Sequence, residues 1–333
     1  MKRCIIIAEA GVNHNGSMKL AKKLIDVAAK SGADFIKFQS FKAENVVTKK
    51  VKITNYQRLN QKKKQTQYQM IKKLEISFQN HVKLIDYCKK KKINFLSTAF
   101  DFESMKMLIN HKPKFIKIAS GDINNLPLLK LAASFNIPII FSTGMSNMKE
   151  IKEAINILKK NGFQKSKINI LQCNTEYPTP FRDVNLRAMV EIKRKTKMNV
   201  GYSDHTKGIE ASVAAVALGA KIIEKHFTLN NKLDGPDHKA SLEPNELNLL
   251  VKSIRNVELA MGSKLKKITR SEKKNIKLIR RSIVAKSKIN RGEKFSYDNL
   301  TVKRPGTGVS PLKWDKYIGK KSKKKYEIDD FIK

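Results

Sequence analysis

Lys37 and Lys117 sit in runs that otherwise read as buried strand, Phe35-Ile36-Lys37-Phe38-Gln39-Ser40 and Phe115-Ile116-Lys117-Ile118-Ala119-Ser120. An ammonium group flanked by Ile and Phe is costly to bury unless an anion meets it. Two such lysines with Ser and Thr beside them suit a phosphate or carboxylate site. The alternative is an internal salt bridge, for instance to Glu9. His205 and His226 end two consecutive apolar runs, so they can be neighbours in space. Two neutral imidazoles, joined by carboxylates and water, suit a divalent metal such as Mn²⁺ or Zn²⁺. Two hydrogen-bonded core histidines are the alternative. Glu9, Gln39 and Asp237 offer oxygens as further ligands or as partners of the ligands.

Other polar residues cluster where apolar runs stop: Asn13-His14, Ser97-Thr98, Ser120 with Asp122, Ser142-Thr143, Asn174 to Tyr177, and Ser203. Tyr177 lies in Glu176-Tyr177-Pro178-Thr179-Pro180, whose prolines stiffen the backbone. It could stack on a sugar, hydrogen-bond to one, or simply pack. His238, in Gly235-Pro236-Asp237-His238, reads as a loop residue over the pocket rather than a third metal ligand. Asn13 and His14 either line the pocket or shape a turn.

The elements that must position these groups alternate between short β-branched runs and longer amphipathic ones. Strands are expected at Ile5–Ala10, Asp34–Gln39, Asn94–Ala99, Phe115–Ala119, Pro138–Ser142, Ile168–Cys173, Asn199–Ser203 and Lys221–Phe227. Helices are expected between them, among others at Ser17–Lys30, Ser77–Lys91, Asn147–Lys160, Ile209–Leu218 and Pro244–Met261. Roughly eight βα units in about 260 residues predict an α/β fold, a (β/α)8 TIM barrel, with a doubly wound sheet as the alternative. In such a barrel the polar strand ends gather at one mouth. Phe41–Gln69 reads as a long polar loop over that mouth. The barrel is expected over residues 1–262 and a polar linker over 263–280. A separate small β-rich domain follows over 281–333.

The chain has 333 residues, 41% of them apolar, which is ordinary for a globular protein. Cys4, Cys88 and Cys173 lack metal-finger or redox spacing, which argues for a reducing compartment. The apolar start is too short for a signal peptide and Glu9 interrupts it, and no stretch is long enough to span a membrane. A cytoplasmic protein is expected. The net charge of +40 raises the prospect of nucleic-acid binding. The lysines are scattered, however, and no stacking aromatics are interleaved with them, so no specific nucleic acid is expected.

In order along the chain, these segments resemble the N-acetylneuraminate (sialic acid) synthase family, which also includes legionaminate and pseudaminate synthases. The resemblance is carried by Ala8 to Gly16, Ile36-Lys37-Phe38-Gln39, Leu96-Ser97-Thr98 and Ile116 to Asp122. It continues through Ser142 to Met145, Asn174 to Phe181, Gly201 to Thr206, Glu224 to Thr228 and Gly235 to His238. The tail, from Arg281-Ser282-Ile283-Val284-Ala285 to Lys303-Arg304-Pro305-Gly306, resembles that family's antifreeze-like (SAF, β-clip) domain.

The resemblance implies a condensation of phosphoenolpyruvate (PEP) with an N-acetylated mannosamine-type sugar, in a domain-swapped homodimer. PEP would be held by Lys37, Thr98, Lys117, Ser120, Ser142 and Ser203. The sugar would face Gln39, Asp122, Tyr177, Asp237 and an Arg304 lent by the second subunit. His205 and His226 would hold a divalent metal, Mn²⁺ foremost and Mg²⁺ or Co²⁺ as alternatives. Glu9 would handle the proton. Asp122 stands where the family has Glu or Asp, and Thr175 stands where some members have an asparagine that touches PEP. The expected product is N-acetylneuraminate, with N,N'-diacetyllegionaminate the close alternative. More remote alternatives are a shorter sugar acid, a barrel without activity and a basic nucleic-acid-binding protein.

Overall fold

The computed structural model describes residues 3–54 and 65–333. Eight parallel strands close into a barrel in chain order. They are β1 (Ile5–Gly11), β2 (Phe35–Ser40), β3 (Asn94–Ala99), β4 (Ile116–Ile118), β5 (Ile139–Ser142), β6 (Ile168–Cys173), β7 (Asn199–Asp204) and β8 (Ile222–His226). β8 returns to β1, pairing Glu9 with His226 across the closure. A closed barrel leaves no strand edge unpaired, and helices cover the outside.

The strand sequences build this arrangement through their period of two. One set of alternate residues, including Ile6, Ala8, Ile36, Phe38, Ile116, Ile118, Ile139, Phe141 and Ile223, packs in the main core with residues of the helices. The other set points inward. Its lower layer is apolar: Ile7, Phe35, Leu96, Ile140, Leu171 and Ile222 are buried against one another. Each next inward position, two residues on, is Glu9, Lys37, Thr98, Ser142, Cys173 or Glu224. The barrel interior therefore changes from hydrocarbon to hydrogen-bonding groups within one step along the strands.

Helix starts follow local chemistry. The Ser17 side chain accepts from the Leu20 amide, and Asn147 forms a capping box with Glu150. Two expectations need correction. The stretch expected as a loop over Phe41–Gln69 carries a short helix at Ala43–Val46, and a second helix begins within it at Gln67 and runs to Lys72; residues 55–64 lie outside the described part. The stretch expected as a linker over 263–280 carries a helix at Arg270–Ile279. Both Gln67–Lys72 and Arg270–Ile279 start at a threonine capping box, Thr66 with Gln69 and Thr269 with Glu272.

The chain divides into two compact units, Met1–Gly262 and Ser263–Lys333. In the second unit β9 (Ser282–Ala285) pairs antiparallel with β10 (Leu300–Lys303). Its own core is Ile283, Ala285, Ile289, Phe295, Leu300, Tyr326 and Ile332. No helix among the described residues is long and apolar enough to cross a membrane.

Candidate functional site

The inward polar layer lines a cavity of about 300 Å³ at the C-terminal mouth of the barrel. Glu9, Lys37, Gln39, Thr98, Lys117, Ser120, Ser142, Tyr177, Ser203, His205, Glu224 and His226 all reach its wall. The strand period puts them there: Lys37 and Gln39 are two apart on β2, as are Glu224 and His226 on β8.

Both lysines are fully buried and meet carboxylates. Lys37 Nζ lies 2.9 Å from Glu9 Oε2 and 3.6 Å from Glu224 Oε2, and it donates to Thr98 Oγ1 at 2.9 Å. Lys117 Nζ donates to Ser142 Oγ at 2.7 Å and lies 3.9 Å from Glu224 Oε1. Ser203 Oγ donates to the same carboxylate at 2.9 Å. Burial works against the Lys37 charge, but Glu224 and Glu9 outweigh it and hold its pKa up. At Lys117 burial wins and pulls the pKa down, with Glu224 only partly offsetting it. Burial pushes the Glu9 carboxyl up to about 7, although Lys37 opposes the shift. Glu224 stays below the ordinary carboxylate range because Lys117, Lys37 and Ser203 outweigh its burial. The floor therefore gathers two lysines, a carboxylate they hold and a carboxyl that burial brings to where it can take or release a proton near neutrality. That is a site for an anion with proton transfer beside it.

The two histidines face each other across the β7–β8 seam, with ring centroids 5.3 Å apart. His205 Nδ1 donates to the Asn174 carbonyl, which can only accept; burial opposes charge on the ring, but Cys173 and that carbonyl outweigh it and raise the His205 pKa. His226 Nδ1 is buried without a hydrogen-bond partner among the described residues, and burial holds the ring neutral. Two imidazoles side by side, one oriented by a backbone carbonyl and one held neutral with a buried nitrogen unsatisfied, offer the nitrogen donors a divalent metal uses. Among the described residues no three His, Cys, Asp or Glu side chains group to hold a metal by themselves, so water or substrate oxygens would complete the shell.

Tyr177 packs against His205 with centroids 4.0 Å apart and the rings tilted by 32°, and it meets His226 edge-on at 5.6 Å. Asp237 is buried in an adjoining chamber that Gln39, Tyr177 and His226 also line. Burial raises its carboxyl to about 6. Asp122 follows one turn after β4 and accepts from Asn125 Nδ2 at 3.0 Å; it is on the wall of neither cavity. Arg304 is exposed in the second unit, just after β10. His14 and Asn13 shape the loop rather than line the cavity: His14 Nδ1 accepts from Gly16 N, and Asn13 donates to Phe227 O and Ser241 Oγ. His238 is likewise held by Thr228 Oγ1 and Asn15.

Sequence reasoning assigned no role to Glu224, the carboxylate that joins both lysines. It also passed over Lys225 and Asp204, a fully buried pair at 3.0 Å on the outer face of the same strands. At the end of β1, Gly11 has φ +51°, and a Cβ there would lie 3.3–3.4 Å from Glu9 Oε1, Gln39 Nε2 and His226 Cε1. Gly11→Ala should therefore cost about 1–2 kcal/mol from the left-handed backbone alone, read as a lower urea midpoint at unchanged slope.

Residues 24–266 match the NeuB family and residues 280–333 match the SAF domain. The N,N'-diacetyllegionaminic acid synthase of Campylobacter jejuni is 53% identical over the whole of both chains. That of Legionella pneumophila is 43% identical over 95% of this chain and 89% of its own. The crystal structure of the Leptospira borgpetersenii N-acetylneuraminic acid synthetase, in complex with citrate, superposes with a TM-score of 0.72. It is 36% identical and covers 83% of this chain and 90% of its own. Fold, inward polar layer and matched residues agree, and the chain belongs to the NeuB family.

Proposed function

We propose that the protein condenses PEP with 2,4-diacetamido-2,4,6-trideoxymannose to give N,N'-diacetyllegionaminic acid and phosphate. The full-length likeness to the Campylobacter synthase carries this reading. It displaces the preference for N-acetylneuraminate drawn from local motifs, which suit either sugar. A human N-acetylneuraminate-9-phosphate synthase is more distant, at 38% identity over 99% of this chain.

In this reading Lys37 and Lys117 bind the phosphate and carboxylate of PEP, and Thr98, Ser120, Ser142 and Ser203 add hydroxyl donors. C3 of PEP attacks the aldehyde carbon of the open-chain sugar, which leaves positive charge at C2. Water adds at C2, and the resulting hemiketal phosphate breaks its C–O bond to release phosphate. His205 and His226 would hold a divalent metal, Mn²⁺ foremost, which supplies Lewis-acid polarisation of the aldehyde when bound. Glu9, whose carboxyl sits near 7, delivers a proton to the aldehyde oxygen as the new bond forms. Gln39, Tyr177 and Asp237 orient the sugar beside the imidazoles, and the family resemblance adds Asp122 and Arg304 as further sugar contacts. In the SAF-domain resemblance that arginine comes from a second copy of the chain.

Phosphate release from PEP tests the reading. Release is expected with the trideoxy sugar and Mn²⁺, and none with EDTA. N-acetylmannosamine should turn over at least tenfold more slowly, within what binding contacts discriminate. Equal or faster release with N-acetylmannosamine would return the assignment to N-acetylneuraminate.

A further inference from the structure

The chamber that adjoins the polar cavity has a volume of about 250 Å³. Gln39, Phe100, Tyr177 and His226 line both spaces, so one ligand can occupy both. The two differ in chemistry. Much of the chamber wall is hydrocarbon from Val12, Phe41, Val47, Met70, Leu74 and Phe100. Val12, Phe41, Met70 and Leu74 are buried and pack as a separate cluster. Most of that wall comes from the segment between β2 and the helix Phe78–Lys90, which is otherwise polar and rich in lysine. Apolar residues in such a segment, gathered at the lip of a hydrophilic site, are placed to meet apolar parts of a ligand.

A sugar hydroxyl pressed against this wall loses water without gaining a hydrogen bond. A methyl group at the same place gains burial instead. We infer that the chamber takes the methyl groups of the sugar, and that Val47, Met70 and Leu74 thereby select a 6-deoxy, doubly N-acetylated hexose over N-acetylmannosamine. This inference rests on the sugar reading above. The methyl group has two sources, C6 and the second acetamido group, and both have the chemistry the wall accepts.

The test measures kcat/KM of the full-length protein with three sugars at saturating PEP and Mn²⁺. They are 2,4-diacetamido-2,4,6-trideoxymannose, 2-acetamido-2,6-dideoxymannose and N-acetylmannosamine. The wild type should favour the first over the third by about 10²-fold, the usual limit for rejecting an added hydroxyl in an apolar pocket. Met70→Gln and Val47→Thr bring polar atoms of similar size into the wall. Each should shrink that ratio about tenfold or more while leaving KM for PEP within about twofold. If the second sugar behaves as the first, the C6 methyl is the occupant; if it behaves as the third, the acetamido methyl is. A wild type that prefers N-acetylmannosamine overturns the inference without any variant. Turnover of the trideoxy sugar with an unchanged ratio in folded Met70→Gln and Val47→Thr overturns it alone. Turnover of none of the three overturns the proposed reaction and this inference together.

Discussion

Lys117→Met should lower kcat/KM for PEP about 10³-fold, the upper range for removing a fixed charge or donor aimed at a reacting anion. The choice between the two lysines follows from their partners. Lys37 is already engaged, 2.9 Å from Glu9 and 3.6 Å from Glu224. Among the described residues Lys117 has only Glu224 as a carboxylate partner, at 3.9 Å, and its closer contacts are the neutral Ser142 hydroxyl and the Ile118 carbonyl. An arriving anion meets less competition there, and by pairing with the ammonium it would offset the burial that pulls the Lys117 pKa down. Methionine keeps the length and the packing of the stem while removing the ammonium group. The unfolding midpoint should therefore stay near that of the wild type, because Glu224 keeps Lys37 and Ser203. Lys37→Met should show the reverse balance, since it deprives two buried carboxylates of their nearest cation. Steady-state kinetics and urea unfolding on both variants check the pattern. A Lys117→Met enzyme within tenfold of wild type would mean that the anion binds elsewhere.

Those two lysines were legible in the sequence because they break a rule: a cation in an Ile- and Phe-rich strand demands a partner. Their partner was not legible. Glu224 stands next to Lys225 and His226, and in one dimension a Glu-Lys neighbour looks self-satisfied. In a strand adjacent residues point to opposite faces, so Glu224 turns inward to Lys37 and Lys117 while Lys225 turns outward to Asp204. Period two alone separates them; knowing which inward groups meet requires the closure of β8 on β1. The helices at Gln67–Lys72 and Arg270–Ile279 were overlooked for a different reason. Both lie in lysine-rich stretches: Gln67–Lys72 is too short to show a period, Arg270–Ile279 buries none of its residues, and a capping box marks the start of each. The sugar is different again. The motifs around Lys37, His205 and His226 carry the family resemblance, whereas the selectors proposed above, Val47, Met70 and Leu74, lie outside every such motif.

Lys225→Met should destabilise the barrel by about 3–5 kcal/mol, the cost of leaving one member of a buried ion pair without the other. Both side chains are fully buried and 3.0 Å apart. Burial drives the Lys225 pKa down and Asp204 only partly restores it, so the charge is held at a cost. The surroundings are otherwise satisfied. Asp204 accepts from the Thr206 amide and hydroxyl at 2.8 Å and from Ser212 Oγ at 2.6 Å, and Lys225 donates to the Thr206 carbonyl at 2.6 Å. Removing the cation leaves a carboxylate that keeps three donors but has no counter-charge in a fully buried layer, and frees the Thr206 carbonyl as well. Asp204→Leu alone should cost a similar amount, because it strands both the ammonium and the Thr206 amide. The double variant Lys225→Met with Asp204→Leu should cost less than the sum, since two hydrocarbon side chains no longer leave a charge behind. A double-mutant cycle by urea denaturation reads that coupling directly. Additive losses would mean that the pair acts through packing and not through charge. The position of the pair gives the cost a functional edge: His205 follows Asp204 and His226 follows Lys225, so the bond that ties β7 to β8 on the outside also fixes the spacing of the two imidazoles within.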